Sequence, residues 1–145
     1  MKKNRHPLHL AEKEEFLKNE KLRIGKLYSK KHRKGFPSKD EFVKWFENTI
    51  KSQDFKCYYC DTSIFDIRSL INQDKLKTRK IGYGTRGPNL EIDRKINSNG
   101  YTKENCVLSC YYCNNDKSYI LDSEVYKKYF GENRKKYFEY LKNKK

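Results

Sequence analysis

Leu90-Glu91-Ile92-Asp93-Arg94, then Gly100-Tyr101-Thr102-Lys103-Glu104-Asn105-Cys106-Val107-Leu108, then Cys110-Tyr111-Tyr112-Cys113-Asn114-Asn115-Asp116-Lys117: these three pieces follow one another closely, and their order decides the fold. Leu90 to Asp93 alternates apolar and acidic residues, which predicts a short strand with one face in a core and its carboxylates turned the other way. Asn97-Ser98-Asn99-Gly100 is dense in residues that tolerate positive φ, so a turn is expected there. Cys106-Val107-Leu108 reads as a second short strand, and a helix is expected from Cys113 to about Lys117.

The word Cys-Tyr-Tyr-Cys at 110–113 also stands at 57–60. Two thiolates in such a knuckle reach one ion, and two knuckles complete a tetrahedron, so Cys57, Cys60, Cys110 and Cys113 are read as a structural zinc site. The competing readings are a thioredoxin-like redox pair and two disulfides. Neither pair has a thioredoxin-like strand before it and helix after it, and paired plus odd cysteines fit poorly with a secreted disulfide framework. The long segment 61–109 between the knuckles implies that the site clamps an inserted unit. A closed four-sulfur site has no open position for substrate, so chemistry is expected elsewhere. The fifth cysteine, Cys106, sits at an apolar strand position and reads as a buried free thiol.

Length, composition and charge bound the function. At 145 residues the chain fits one domain; 35% hydrophobic and 37% charged residues allow only a modest core, for which a metal staple is useful. A formal charge of +15 favours a polyanionic partner, nucleic acid ahead of a membrane surface, although solvated lysine gives the same composition. No apolar run is long enough to span a bilayer and the opening residues lead into no hydrophobic signal core, so no membrane association and a cytoplasmic location are expected.

The flanking segments read as helices. Phe16, Leu17, Leu22, Ile24, Leu27 and Tyr28 predict one in the first 35 residues, ended by Lys30-Lys31-His32-Arg33-Lys34-Gly35. That cationic run is either a solvated end or a phosphate contact. Ser38 to Glu41 reads as a capping box opening a helix with Phe42, Trp45, Phe46 and Ile50 on its core face. Thr62 or Ser63 opens another, with Ile64, Ile67, Leu70 and Ile71. Residues 74–89 read as a flexible basic loop in which Arg79, Lys80 and Arg86 follow a phosphate backbone or are simply solvated. Ser123 is expected to cap a helix carrying Val125, Tyr126, Tyr129 and Phe130, with Gly131 breaking it before a last helix with Tyr137, Phe138 and Leu141.

Asp93 ends the first strand, Asn105 begins the second, and Asn114 follows the last knuckle cysteine. If the hairpin folds onto the helix, the Asp93 carboxylate and the Asn114 carbonyl oxygen converge as hard ligands, suited to Mg²⁺ or Mn²⁺ and leaving positions for water and phosphate oxygens. The alternative is a surface Asp93–Arg94 ion pair and an Asn114 helix cap. Glu91 is either a second acidic contact or an exposed residue.

Residues 37 to 117 resemble the HNH endonucleases, also called His-Me finger or ββα-metal nucleases, in their zinc-stapled branch. The resemblance implies an α+β chain with a small ββα-metal core and a four-cysteine zinc site, flanked by helices at both termini. The boundaries expected are a basic helical extension over 1–36, the nuclease core over 37–120, and basic C-terminal helices over 121–145. It implies a catalytic Mg²⁺ or Mn²⁺ held by Asp93 and Asn114, loop fixation by Asn105, and Lys117 touching backbone phosphate. The usual base, a histidine, is replaced by Arg94, which cannot accept a proton from water. His6, His9 and His32 lie far upstream, so the resemblance implies a phosphate clamp for Arg94 and leaves the base to Glu91, Tyr101, an inward-folded His32 or solvent. The expected function is metal-dependent cleavage of DNA, most readily duplex. The alternative is a zinc-dependent nucleic-acid-binding module without catalysis.

Overall fold

The structure, a computed structural model, describes residues 7–145, with side chains from residue 10. His6 and the side chain of His9 lie outside the described residues. Helix α1 (Pro7–Leu27) and the short α2 (Lys30–Arg33) precede α3 (Lys39–Ser52) and α4 (Ile64–Asn72). Two separate antiparallel hairpins follow, β1 (Arg79–Ile81) with β2 (Gly84–Arg86) and β3 (Leu90–Arg94) with β4 (Cys106–Cys110). Helix α5 (Tyr111–Lys117) leaves β4 directly, and α6 (Ser123–Tyr126), a π-helical turn (Lys127–Gly131) and α7 (Glu132–Asn143) complete the chain. The fold is therefore mixed helix with small sheets, and one apolar cluster runs from Phe16 and Ile24 in α1 through Phe42, Leu90 and Leu108 to Phe138 and Leu141 in α7.

The irregular pattern of α1 has a physical explanation. Its inward row is Phe16, Glu20 and Ile24, four residues apart, and the buried Glu20 interrupts the apolar stripe. Its carboxylate accepts from Arg23 Nε and Nη2 at 2.8 and 2.7 Å and from Asn89 Nδ2 at 2.5 Å, while Arg23 Nη2 also donates to the Leu90 carbonyl at 3.1 Å. A buried charge held this way is compensated, and it ties α1 to the start of β3. Of the apolar positions that suggest this helix, Leu22 and Leu27 are exposed.

Helix α3 opens as expected, with the Ser38 hydroxyl accepting from the Glu41 N–H at 3.2 Å, and it buries Phe42, Phe46 and Ile50. Ser63 caps α4 through the Phe65 N–H. Just beyond α3, the Gln53 side chain behaves like a piece of strand: its Oε1 accepts from the Leu108 N–H at 3.1 Å and its Nε2 donates to the Leu108 carbonyl at 2.8 Å. The Tyr58 N–H donates to the same carbonyl at 2.9 Å. The outer edge of β4 is thus closed by the first knuckle and the residues before it.

Residues 79–86 form a hairpin rather than a loop, because Gly82 and Tyr83 make a two-residue turn between Ile81 and its partner Gly84, with Gly82 at φ +20. Gly131 does not break the last helix. It sits at φ −58, ψ −44, and the chain stays helical through a π turn from α6 into α7. The wider π spacing brings Tyr126 and Gly131, five residues apart, onto the buried side, leaving Val125, Tyr129 and Phe130 exposed. α6 also opens on Ser123, with Asp122 in the cap position.

Gly131 is required by close approach, since a Cβ there would overlap the Tyr59 carbonyl oxygen of the first knuckle. Gly131→Ala is expected to lower stability by about 1–3 kcal/mol in denaturant melts, the usual cost of overpacking. An unchanged or raised midpoint would contradict this packing.

Candidate metal and nucleic-acid site

Two features set the site: a sulfur cluster that joins distant segments, and an oxygen-rich face on the β3–β4 hairpin. The Sγ atoms of Cys57, Cys60, Cys110 and Cys113 all lie within 4.8 Å of one another, and all four residues are buried. Cys60 and Cys110 stand 4.0 Å apart, close to the roughly 3.8 Å edge of a tetrahedron with metal–sulfur bonds of about 2.3 Å. Backbone N–H groups of Tyr59 and Cys113 point at the sulfurs of Cys57 and Cys110, at 3.4 and 3.3 Å. Neighbouring sulfurs donating to Cys60, Cys110 foremost, hold its thiol far below the ordinary range, while burial pushes Cys110 up. Four sulfurs packed this closely are compatible with a zinc site. Cys106 stands apart, buried, its thiol pushed up to about 11 by desolvation.

The cluster fixes the junction of β4 and α5 against the first knuckle. In the β3–β4 register Glu91 faces Ser109, Asp93 faces Val107 and Arg94 faces Cys106. Glu91 and Asp93, two residues apart, share the face toward α5. Asp93 is nonetheless buried, at 6% exposure. Its Oδ2 accepts from the Tyr59 hydroxyl at 2.5 Å and its Oδ1 from Lys117 Nζ at 3.3 Å. Burial raises the Asp93 carboxyl above its usual range, opposed by Tyr59, Lys117 and Arg94. Tyr59, the third residue of the first Cys-Tyr-Tyr-Cys word, is thereby joined to the site. Its only sequence signal is its place between the two cysteines of the first knuckle.

Asn114 reaches Glu91 rather than Asp93: its Nδ2 donates to Glu91 Oε1 at 2.9 Å. Glu91 also accepts both guanidinium bonds of Arg86, at 2.6 and 2.8 Å, and Arg86 lies 4.6 Å above the Tyr111 ring. Lys117, expected at a phosphate, is turned inward and fully buried, where it donates to Asp93 and, at 2.9 Å, to Asn97 Oδ1. Asn105 closes the loop between the strands, accepting from the Ile96 N–H and donating to the carbonyls of Ile96 and Gly100, at 3.0, 3.1 and 2.9 Å.

Arg94 is in no close ion pair, although its charge is felt at Asp93. Among the described residues no carboxylate lies within ion-pair distance of it, and it rests 5.0 Å from the Tyr101 ring, which Lys31 approaches at 5.3 Å. The same ring meets His32 edge-on at 4.9 Å, and His32 stacks on Phe42 at 4.6 Å. His32 thus does fold inward. Its Nδ1 accepts from the Ser29 N–H at 3.1 Å, the place a glutamate takes in a capping box. The neutral ring therefore keeps its proton on Nε2. Burial, aided by Lys31, lowers its pKa from the ordinary 6.5, so it is neutral at physiological pH. Gly35 lets the chain after α2 lie against Tyr101, since a Cβ there would overlap the Tyr101 carbonyl.

Arg23, Lys31, His32, Arg86, Glu91 and Asn114 line one cleft of about 640 Å³, between α1–α2, the β1–β2 hairpin and β3. Cations on its walls and an acid with an amide at its floor suit a phosphate and a hard metal ion.

Comparison with solved structures finds likeness to the rare-cutting HNH restriction endonuclease PacI, whose structure is described for an extraordinary mechanism of DNA perturbation. The fold is HNH-like. The TM-score is 0.53 at 27% identity, over 69% of this chain and 63% of that one. This chain thus matches less than two thirds of that protein's length. No family model and no curated protein matches. No helix among the described residues is long and apolar enough to cross a membrane.

Purified protein is expected to carry one zinc ion per chain by elemental analysis, and Cys113→Ala to lose it and to melt at lower temperature. Metal-free protein with the wild-type melting temperature would contradict the clamp.

Proposed function

We propose that this chain is a metal-dependent endonuclease that hydrolyses DNA phosphodiester bonds, an HNH-type enzyme stapled by zinc and carrying Asp-Arg where Asp-His is usual. One observation carries this reading: two carboxylates, Glu91 and Asp93, share the hairpin face that meets Asn114 of α5, beside the unpaired Arg94. The likeness to a DNA-cutting enzyme and the charge of +15 support it. Asp93 and the carbonyl oxygen of Asn114 are the donors that would hold Mg²⁺ or Mn²⁺, and their hard oxygens fit such an ion. When bound, that ion supplies Lewis-acid polarisation of the scissile phosphate and charge stabilisation at the leaving 3′ oxygen.

The chain's own residues do the rest. Tyr59 and Lys117 hold the Asp93 carboxylate in one orientation, and the bond from its Nδ2 to Glu91 does the same for the Asn114 amide. Arg94, braced on Tyr101, grips a non-bridging phosphate oxygen and stabilises charge that grows there as water attacks phosphorus and the P–O3′ bond breaks. Lys31 adds a second cation on the same ring. His32 with its proton on Nε2 is a donor to the cleft rather than an acceptor. Glu91 is the acid that lines the cleft, and once a phosphate draws Arg86 away its carboxylate takes the water's proton.

Supercoiled plasmid incubated with the protein and Mn²⁺ is expected to be nicked. Asp93→Ala and Asn114→Ala should abolish nicking, and Glu91→Gln should slow it by about 10²-fold or more, the usual weight of a general base. His32→Gln, which keeps an acceptor for Ser29, should stay within about tenfold of wild type. Loss in His32→Gln with Glu91→Gln active would move the proton to the imidazole. A wild-type protein that binds the plasmid yet never nicks it would leave only a binding module.

A further inference from the structure

We propose that the Arg79–Arg86 hairpin is a DNA-reading arm, its two strands lying in the major groove of a duplex and its Ile81–Tyr83 tip touching the bases. The inference rests on DNA as the ligand of the preceding reading and adds the surface by which the duplex is read.

A free two-stranded ribbon is marginal in water, since neither of its faces is covered. Here both faces are open: Arg79, Lys80, Ile81, Gly84 and Thr85 are all exposed. At the tip Ile81 is 46% exposed and Tyr83 fully so, and a Cβ added at Gly82 or Gly84 would meet nothing within 4 Å. The ribbon projects into solvent and ends in two apolar side chains that the described residues leave largely uncovered, Tyr83 above all.

The base of the arm, by contrast, is tied down in the free protein, by Arg86 until a phosphate takes it and by Tyr112 throughout. Arg86 is held by both oxygens of Glu91 and lies over Tyr111, and the Tyr112 hydroxyl donates to the Lys77 carbonyl at 2.6 Å. Both anchors belong to the hairpin and helix that form the candidate site. The arm therefore stands at a set position beside the cleft, whose lining includes Ile81, Tyr83 and Thr85.

Charge selects the occupant. From Lys75 to Arg86 the sequence holds Lys75, Lys77, Arg79, Lys80 and Arg86 and no acid. Arg79 lies directly opposite Arg86 in the register, a like-charge pair that costs stability in a free ribbon. Glu91 offsets one of these charges, and Arg79 has no acid within ion-pair distance among the described residues. Phosphates along both walls of a groove neutralise such a ribbon, while base edges and thymine methyls at the groove floor cover its apolar tip. The major groove, about 12 Å wide, admits a two-stranded ribbon without deformation, whereas the minor groove at about 6 Å must first be widened at a cost in bending energy.

The test measures binding alone, without added Mg²⁺ or Mn²⁺, so that it stands apart from cleavage. Fluorescence anisotropy on a labelled mixed-sequence duplex compares wild type with Tyr83→Ser, Ile81→Ser/Tyr83→Ser and Tyr83→Phe. The double variant should bind about tenfold or more weakly, as loss of base contacts by an aromatic side chain commonly does, and Tyr83→Phe should bind nearly as wild type. The exposed positions leave folding intact, which far-ultraviolet circular dichroism verifies. Methyl green, a major-groove ligand, should displace the wild-type protein, and netropsin, a minor-groove ligand, should not. Binding by the double variant within about twofold of wild type, displacement by netropsin alone, or tighter binding to single strands than to duplex would each overturn the arm. Arm-dependent binding by a protein that never nicks plasmid would keep the arm and remove the nuclease.

Discussion

Four sulfurs meeting in one buried cluster are the constraint on which the rest of this structure depends. Segments 57–60 and 110–113 come from opposite ends of a long insertion, and each carries a different part of the site with it. The first brings Tyr59, whose hydroxyl bonds Asp93, and the Tyr58 amide that closes β4. The second brings the start of α5, and with it Asn114 and Lys117. A chain in which 35% of residues are hydrophobic has little apolar surface with which to hold such pieces in register. A closed four-sulfur site contributes folding energy directly, and does so at the point where strand, knuckle and helix meet.

The polar groups behind that junction are sorted into two layers. The inner one is Asp93 with Tyr59, Lys117 and Asn97, a buried charge pair whose lone pairs and protons are satisfied by neutral partners. Such an arrangement adds little net stability over an apolar equivalent, but losing one member leaves an uncompensated charge. Its value is orientation. The outer layer is Glu91 with Asn114 and Arg86, open to the cleft, and there an incoming anion can compete for the guanidinium. In the proposed enzyme the inner layer aims a carboxylate and the outer layer exchanges partners as DNA arrives.

Much of this was legible in the sequence because local rules and the fold agree. The alternation of Leu90 to Asp93, the turn at 97–100, the cap at Ser38 and the spacing of the two knuckles each obey a short-range rule. What was not legible came from long-range compensation. Glu20 interrupts the core stripe of α1 and is acceptable only because Arg23 and Asn89 reach it. Gly131 looks like a breaker, yet it is the small residue that lets a continuous helix touch the first knuckle. Lys117 reads as a surface cation until its neighbours Asp93 and Asn97 are placed around it. The basic run at 79–86 hides a hairpin because neither strand has the alternating apolar face by which strands are usually recognised.

The central claim is that the sulfur clamp sets hard oxygens from β3 and α5 around a second, divalent cation. Crystals of the zinc-loaded protein soaked in Mn²⁺ and measured at the manganese absorption edge test it most directly. The account predicts one manganese peak per chain, about 2.1 Å from an Asp93 carboxylate oxygen and from Asn114 Oδ1. A fully occupied sulfur site with no manganese at those oxygens, or with manganese only elsewhere, would contradict it.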